Sequence, residues 1–185
     1  MNTDIVPGSL AAIARQESRS IAETFIDAQA VIVVDVSGSM ASQDSRGGRS
    51  RYDVMLEELA ALQANLPGRV AVVAFSDRPV FVPGGQPPFL NGTTDMAMAL
   101  RFVKPADVPG MRFVLVSDGQ PNDPDETLAV ARTFRQRIDT IYVGPEERPA
   151  GRAFLERLAK ASGGQVMTAE RVNLLAQTTQ HLLSA

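Results

Sequence analysis

The sequence predicts an α/β fold: a doubly wound, mostly parallel sheet of about six strands, with helices on both faces and one short antiparallel edge strand. Three observations carry that expectation. Short β-branched runs, apolar throughout, recur along the chain, as buried strands of a parallel sheet do. Segments of helical period separate them. One apolar run follows its predecessor too closely for a crossover helix, so it must turn back as a hairpin.

Residues 10–25 read as an N-terminal helix of moderate amphipathicity. Strands are expected at 31–34, 70–75, 113–116 and 140–143, with a weaker one at 165–168. Residues 52–65 have helical period, with Val54, Met55, Leu59 and Leu62 on one stripe, and 95–103 follow suit through Met96, Leu100 and Val103. The period returns at 127–137 (Leu128, Ala131, Phe134), at 152–161 (Phe154, Leu155, Leu158) and at 172–183 (Leu175, Thr179, Leu182). The close-following run is 80–82, bracketed by Pro79 and Pro83, which an edge strand tolerates. Residues 84–91, rich in Gly and Pro, are a loop. The chain thus divides into an extension over 1–27, packed on the domain or preceding it, and one domain over 28–185.

Composition excludes several functions. A net charge of −3 offers no basic face to nucleic acid. The local cluster Arg46, Arg49 and Arg51 reads as a solvated loop. With no cysteine, a disulfide framework, a thiolate metal site and a Cys nucleophile are ruled out. His181 is the only histidine, which argues against a His-based triad or a multi-His zinc site. No apolar run approaches the ~20 residues a membrane helix needs. Asp4, Arg15, Glu17 and Arg19 interrupt the start of the chain where a signal peptide would be apolar. The expectation is a cytoplasmic protein, monomeric in isolation, with no membrane partner.

Three stretches carry chemistry. Strand 31–34 runs into Asp35, followed by Ser37, Gly38 and Ser39. In an open α/β sheet, ligands gather at the carboxyl ends of the strands. An Asp and two hydroxyls at two-residue spacing can turn three oxygens to one point, with Gly38 permitting the curl. Hard cations such as Mg²⁺ want oxygen ligands and keep several waters. The second stretch is Thr93-Thr94-Asp95, which by itself reads as a threonine N-cap with Asp95 complementing the helix dipole. The third is Asp118-Gly119, a common turn, but one that puts Asp118 at the tip of a buried strand as Asp35 is.

Taken together, Asp35-Val36-Ser37-Gly38-Ser39-Met40, Thr94-Asp95-Met96-Ala97-Met98-Ala99-Leu100 and Ser117-Asp118-Gly119-Gln120-Pro121 resemble the metal-ion-dependent adhesion site of von Willebrand factor type A (VWA) domains, a Rossmann-like family. The resemblance covers residues 28–184. It implies a bound divalent cation, Mg²⁺ on availability with Mn²⁺ or Ca²⁺ as alternatives. It implies direct ligation by Ser37 and Ser39, negative charge from Asp35 and Asp118 partly through waters, and Thr94 as a switchable ligand. Thr94 is preferred to Thr93 because its spacing to Ala99-Leu100 matches the family phrase. The polar stretch 41–50 lengthens the loop over this site. The implied function is non-enzymatic: a protein-binding module whose metal bridges to an Asp or Glu of a partner. Small domains of this type resemble those that work beside AAA+ ATPases or in stress-response and phage-associated systems.

Two other readings compete. In a Mg²⁺-dependent phosphoryl-transfer enzyme, Asp35 would be the nucleophile, but Ser37 stands where a general acid is needed, and Lys104 and Lys160 are the only lysines. A purely structural VWA subunit would have no use for five intact ligand positions. Nucleotide binding has neither glycine-rich fingerprint.

Overall fold

The computed structural model describes residues 5–144 and 149–168; the helix predicted at 172–183, with His181, lies outside them. Two short helices open the fold, α1 (Leu10–Gln16) and α2 (Ile21–Ile26), followed by β1 (Ala30–Asp35). Next come α3 (Arg51–Asn65), β2 (Val70–Phe75) and β3 (Pro79–Phe81). The chain continues through α4 (Met96–Val103), β4 (Arg112–Ser117), α5 (Pro124–Ala131), β5 (Ile138–Tyr142), α6 (Pro149–Ser162) and β6 (Val166–Thr168). The strands form one six-stranded sheet in the order β3-β2-β1-β4-β5-β6. All pairs are parallel except β2 with β3, where Val73 faces Phe81 and Phe75 faces Pro79.

Alternation along the central strands divides the core. Val31 and Val33 of β1 pack with α4, α5 and α6 through Leu100, Leu128 and Leu155. Ala30, Ile32 and Val34 point the other way, toward Met55, Leu59 and Leu62 of α3. Both faces are therefore covered, and β1, β2 and β4 are mostly apolar on both sides because neither side meets water; β5 is equally buried but carries Asp139 and Thr140. The N-terminal segment joins this core: Leu10 is fully buried, Val6 donates to the Gly84 carbonyl, and Ala11 donates to that of Pro83.

Two helix expectations change. Residues 10–25 form two helices rather than one. Ser18 adopts φ 54°, and Ser20 opens α2 with a capping box, its hydroxyl accepting from Glu23 N and the Glu23 carboxylate accepting from Ser20 N. The helix expected to run to residue 137 is α5, which ends at Ala131. Beyond it the chain turns so that Phe134 can meet Phe113 edge to face, with ring centroids 5.1 Å apart. Lys104 stabilises that turn by donating to the Thr133 carbonyl.

Candidate metal centre

From β1 the chain leaves through α3 to β2 on one side, and from β4 it leaves through α5 to β5 on the other. The connections depart in opposite directions, so a crevice opens between the carboxyl ends of β1 and β4, where such sheets bind ligands. Asp35 is the last residue of β1, and Asp118 follows the last residue of β4.

Asp35 is fully buried. One of its carboxylate oxygens accepts from Ser37 N at 2.9 Å, and the other accepts from Ser117 Oγ at 2.7 Å. Ser117 Oγ in turn accepts from Gly119 N at 3.0 Å, so this serine couples the two strand tips. In the sequence it is only part of the Ser117-Asp118-Gly119 phrase, with no role predicted for it. Burial raises the Asp35 pKa from 3.8 to about 6; the Ser37 and Ser117 hydrogen bonds work against that rise, and the Asp118 charge adds to it.

Ser37 and Ser39 bring their hydroxyls to 3.3 Å from one another in the 3-10 turn that follows β1. Gly38 does not supply an unusual dihedral here. Its bare Cα leaves room for Asn91: a Cβ would lie 2.7 Å from Asn91 Oδ1, which would have to swing aside. The close approach lets Gly38 N donate to the Gly92 carbonyl, while Asn91 N donates to that of Val36, stitching the 91–94 segment onto the Ser37 turn.

Thr93 and Thr94 separate cleanly. The exposed Thr93 hydroxyl donates to Asp77 at 2.6 Å and accepts from Asn122 Nδ2 at 3.0 Å. Thr94 is buried, and Asn122 clamps its backbone from both sides: Thr94 N donates to Asn122 Oδ1, and Asn122 N donates to the Thr94 carbonyl. The Thr94 hydroxyl bonds to no described residue. It does not cap α4, because Asp95 is the N-cap and accepts from Met98 N at 2.9 Å. Asp77 and Asn122 organise this loop without a local sequence signal, since their partners lie 16 and 28 residues away.

Asp118 is 2 % exposed. Its Oδ2 accepts from Arg51 Nη1 at 2.8 Å, while its Oδ1 is buried with no hydrogen-bond partner among the described residues. Arg51, expected in a solvated loop, is instead 3 % exposed. It is the first residue of α3, the helix end that lies at this rim, and it also grips Asp44 through Nε at 2.7 Å and Nη2 at 2.5 Å. Burial opposes the Arg51 charge, but the Asp44 pairing and the nearby Asp118 hold its pKa above the ordinary value. Arg49 lies as expected, forming an exposed pair with Glu57. The pattern of residues 41–50 is thus a folded loop, pinned over the rim by the Asp44–Arg51 fork.

Among the described residues no cluster of three or more acidic, imidazole or thiol groups gathers. The side chains that could hold a cation here are mostly hydroxyls: Ser37, Ser39 and Thr94, with the carboxylates of Asp35 and Asp118. An orphaned carboxylate oxygen, two hydroxyls in contact and a threonine hydroxyl without a partner suit a hard cation that keeps waters.

The sheet order and the helices on both faces define a Rossmann-like α/β domain with its switch point between β1 and β4. More particularly, the chain has the VWA fold, as solved structures show. A crystal structure of an aerotolerance-related membrane protein from Bacteroides fragilis superimposes with a TM-score of 0.69 at 16% identity, over 85% of this chain and 98% of that one. A von Willebrand factor type A protein from Catenulispora acidiphila gives 0.63 at 20% identity, over 85% and 42%. Manganese-loaded TRAP protein from Plasmodium vivax gives 0.59 at 17% identity, over 80% and 72%. No family model and no curated protein matches the sequence. Among the described residues no helix is long and apolar enough to cross a membrane.

Proposed function

We propose that this chain is a divalent-cation-dependent protein-binding module, with Asp35, Ser37, Ser39, Thr94 and Asp118 holding the ion and an acidic side chain of a partner protein completing its coordination. The buried, unpartnered Asp118 Oδ1 at the tip of β4, with the paired serine hydroxyls just past the tip of the neighbouring β1, carries this reading. A bound Mg²⁺ or Mn²⁺ supplies an electrophilic position at which a carboxylate replaces water. The chain's own residues do the rest. Ser37 N and the Ser117 hydroxyl orient the Asp35 carboxylate, and Asn122 fixes the Thr94 backbone. Few ligand charges leave a cation under-neutralised and attractive to a partner Asp or Glu. A manganese-loaded protein of the same fold supports the choice of a divalent cation.

Phosphoryl transfer finds no support in the chemistry of the rim. Ser37 stands where an acid would be needed, and Lys104 is committed to Asp107 and Thr133 at the far end of α4. The proposed setting is a cytoplasmic assembly, ATPase-associated or part of a stress or phage system.

The reading is tested by melting the protein with Mg²⁺ and with chelator. A hundredfold excess over the dissociation constant stabilises by about 2.7 kcal/mol, a rise of roughly 5–10 °C. Capture from host lysate should then require both Mg²⁺ and an intact Asp35. An unchanged melting curve across Mg²⁺, Mn²⁺ and chelator would falsify the metal role. The two threonines give a finer check. Thr93→Val loses two hydrogen bonds and costs about 1–2 kcal/mol of stability, yet leaves Mn²⁺ affinity intact. Thr94→Val costs little stability but weakens Mn²⁺ several-fold; the reverse pattern would assign the ligand to Thr93.

A further inference from the structure

Arg51 is a buried cation placed directly against one of the two carboxylates of a cation site. Its first donor binds Asp118 Oδ2 at 2.8 Å; two more form a fork with Asp44, whose side chain is 37 % exposed on the loop above. Three of the guanidinium's five donors are thus in use, in a geometry that a point-like ammonium cannot reproduce. Removing one partner of a buried pair is strongly destabilising, so the pair locks the rim in shape without a metal. It also cancels one of the two carboxylate charges that the site can offer a dication.

We infer that Arg51 is the charge-setting residue of this site: it preforms the Asp118 end of the rim, weakens the hold on the dication, and so keeps the ion electrophilic toward an outside carboxylate, while Asp44 tempers the Arg51 charge from the solvent side. The inference rests on the metal-binding reading above and specifies how that site is tuned. A buried positive charge repels a nearby dication in a medium where Coulomb terms are several-fold stronger than in water. Removing the charge therefore tightens the metal, and removing its counter-ion loosens it. A purely structural arginine would give no such opposition of sign.

The test is titration of Mn²⁺ by calorimetry at pH 8, with melting in chelator, on the wild type and three variants. Arg51→Met melts lower without metal but binds Mn²⁺ about tenfold tighter. Arg51→Lys also melts lower without metal, yet keeps the wild-type Mn²⁺ affinity within about threefold, because the charge remains. Asp44→Asn, on a half-exposed loop, folds and binds Mn²⁺ several-fold more weakly. If Arg51→Met does not fold, the other two variants still decide. Mn²⁺ affinity in Asp44→Asn equal to or tighter than wild type, or tightening in Arg51→Lys, overturns the inference while wild-type binding upholds the metal site. Absence of Mn²⁺ binding in the wild type takes down the functional reading itself.

Discussion

Replacing Asp35 by asparagine raises the melting temperature of the metal-free protein at pH 7 and abolishes its response to Mg²⁺. The reason is the buried carboxylate. Asp35 has no exposure to solvent, and its pKa stands at about 6 in the fold, against ~3.9 in an unfolded chain. Between those values the native state binds the extra proton, so stability is greatest below the unfolded value and is lost as pH rises through 6. By pH 7 the loss is complete and amounts to ~3 kcal/mol at most. An asparagine of the same shape keeps the acceptor for Ser37 N and carries no charge to desolvate. The variant in chelator should therefore gain up to roughly 6–12 °C at pH 7, and little at pH 4. In the wild type, Mg²⁺ compensates the same charge, so metal and mutation should be alternative routes to stability rather than additive ones. The measurement is a pair of melting profiles against pH, each with chelator and with Mg²⁺. A variant that melts below wild type in chelator at pH 7 would show that the Ser37 and Ser117 hydrogen bonds already satisfy the ionised form.

Much of this architecture is written in local patterns. The runs at β1, β2 and β4 are mostly apolar on both faces because helices cover both faces, and the short gap before the edge strand leaves room only for a hairpin. The Asp35 and Asp118 positions follow from the same logic, since one ends β1 and the other directly follows β4 at the switch point. The break between α1 and α2 was equally legible, in the Ser20 to Glu23 capping box, but the hydrophobic period runs through it and masks it. What escaped sequence reading depends on distant partners. Arg51 looks like one of three loop arginines until Asp118, 67 residues on, supplies its acceptor. Asp77 and Asn122 look like turn residues until the loop at 91–94 folds against them. Gly38 reads as a source of flexibility, whereas its role is to leave room for Asn91. Charge pairs and close approaches of this kind have no period, so they become visible only once the strand tips are assembled.

Gly151→Ala should destabilise the protein and weaken its hold on Mn²⁺, against what helix propensity alone dictates. Gly151 lies buried in the first turn of α6, with ordinary helical backbone, where alanine normally gains ~1 kcal/mol over glycine. Here a Cβ would stand 2.0 Å from the Asp118 carbonyl oxygen. The obstacle is backbone on both sides, with no rotamer to relieve it. The counterpart contact is as tight: a Cβ on Gly119, at φ +76°, would lie 2.1 Å from the Gly151 carbonyl oxygen. The two glycines thus allow α6 and the turn after β4 to touch backbone to backbone, and that contact sets where the Asp118 carboxylate points. Overpacking of this type costs up to about 3 kcal/mol; set against the propensity gain, that lowers melting by up to roughly 8 °C. Because the turn must shift to make room, the Asp118 pairing with Arg51 is strained as well, and Mn²⁺ affinity should fall with stability. Melting in chelator and Mn²⁺ titration on the same variant separate the two effects. Melting at or above the wild-type temperature, with unchanged Mn²⁺ affinity, would mean that the helix can slide away from the turn, leaving the Asp118 carboxylate positioned by Arg51.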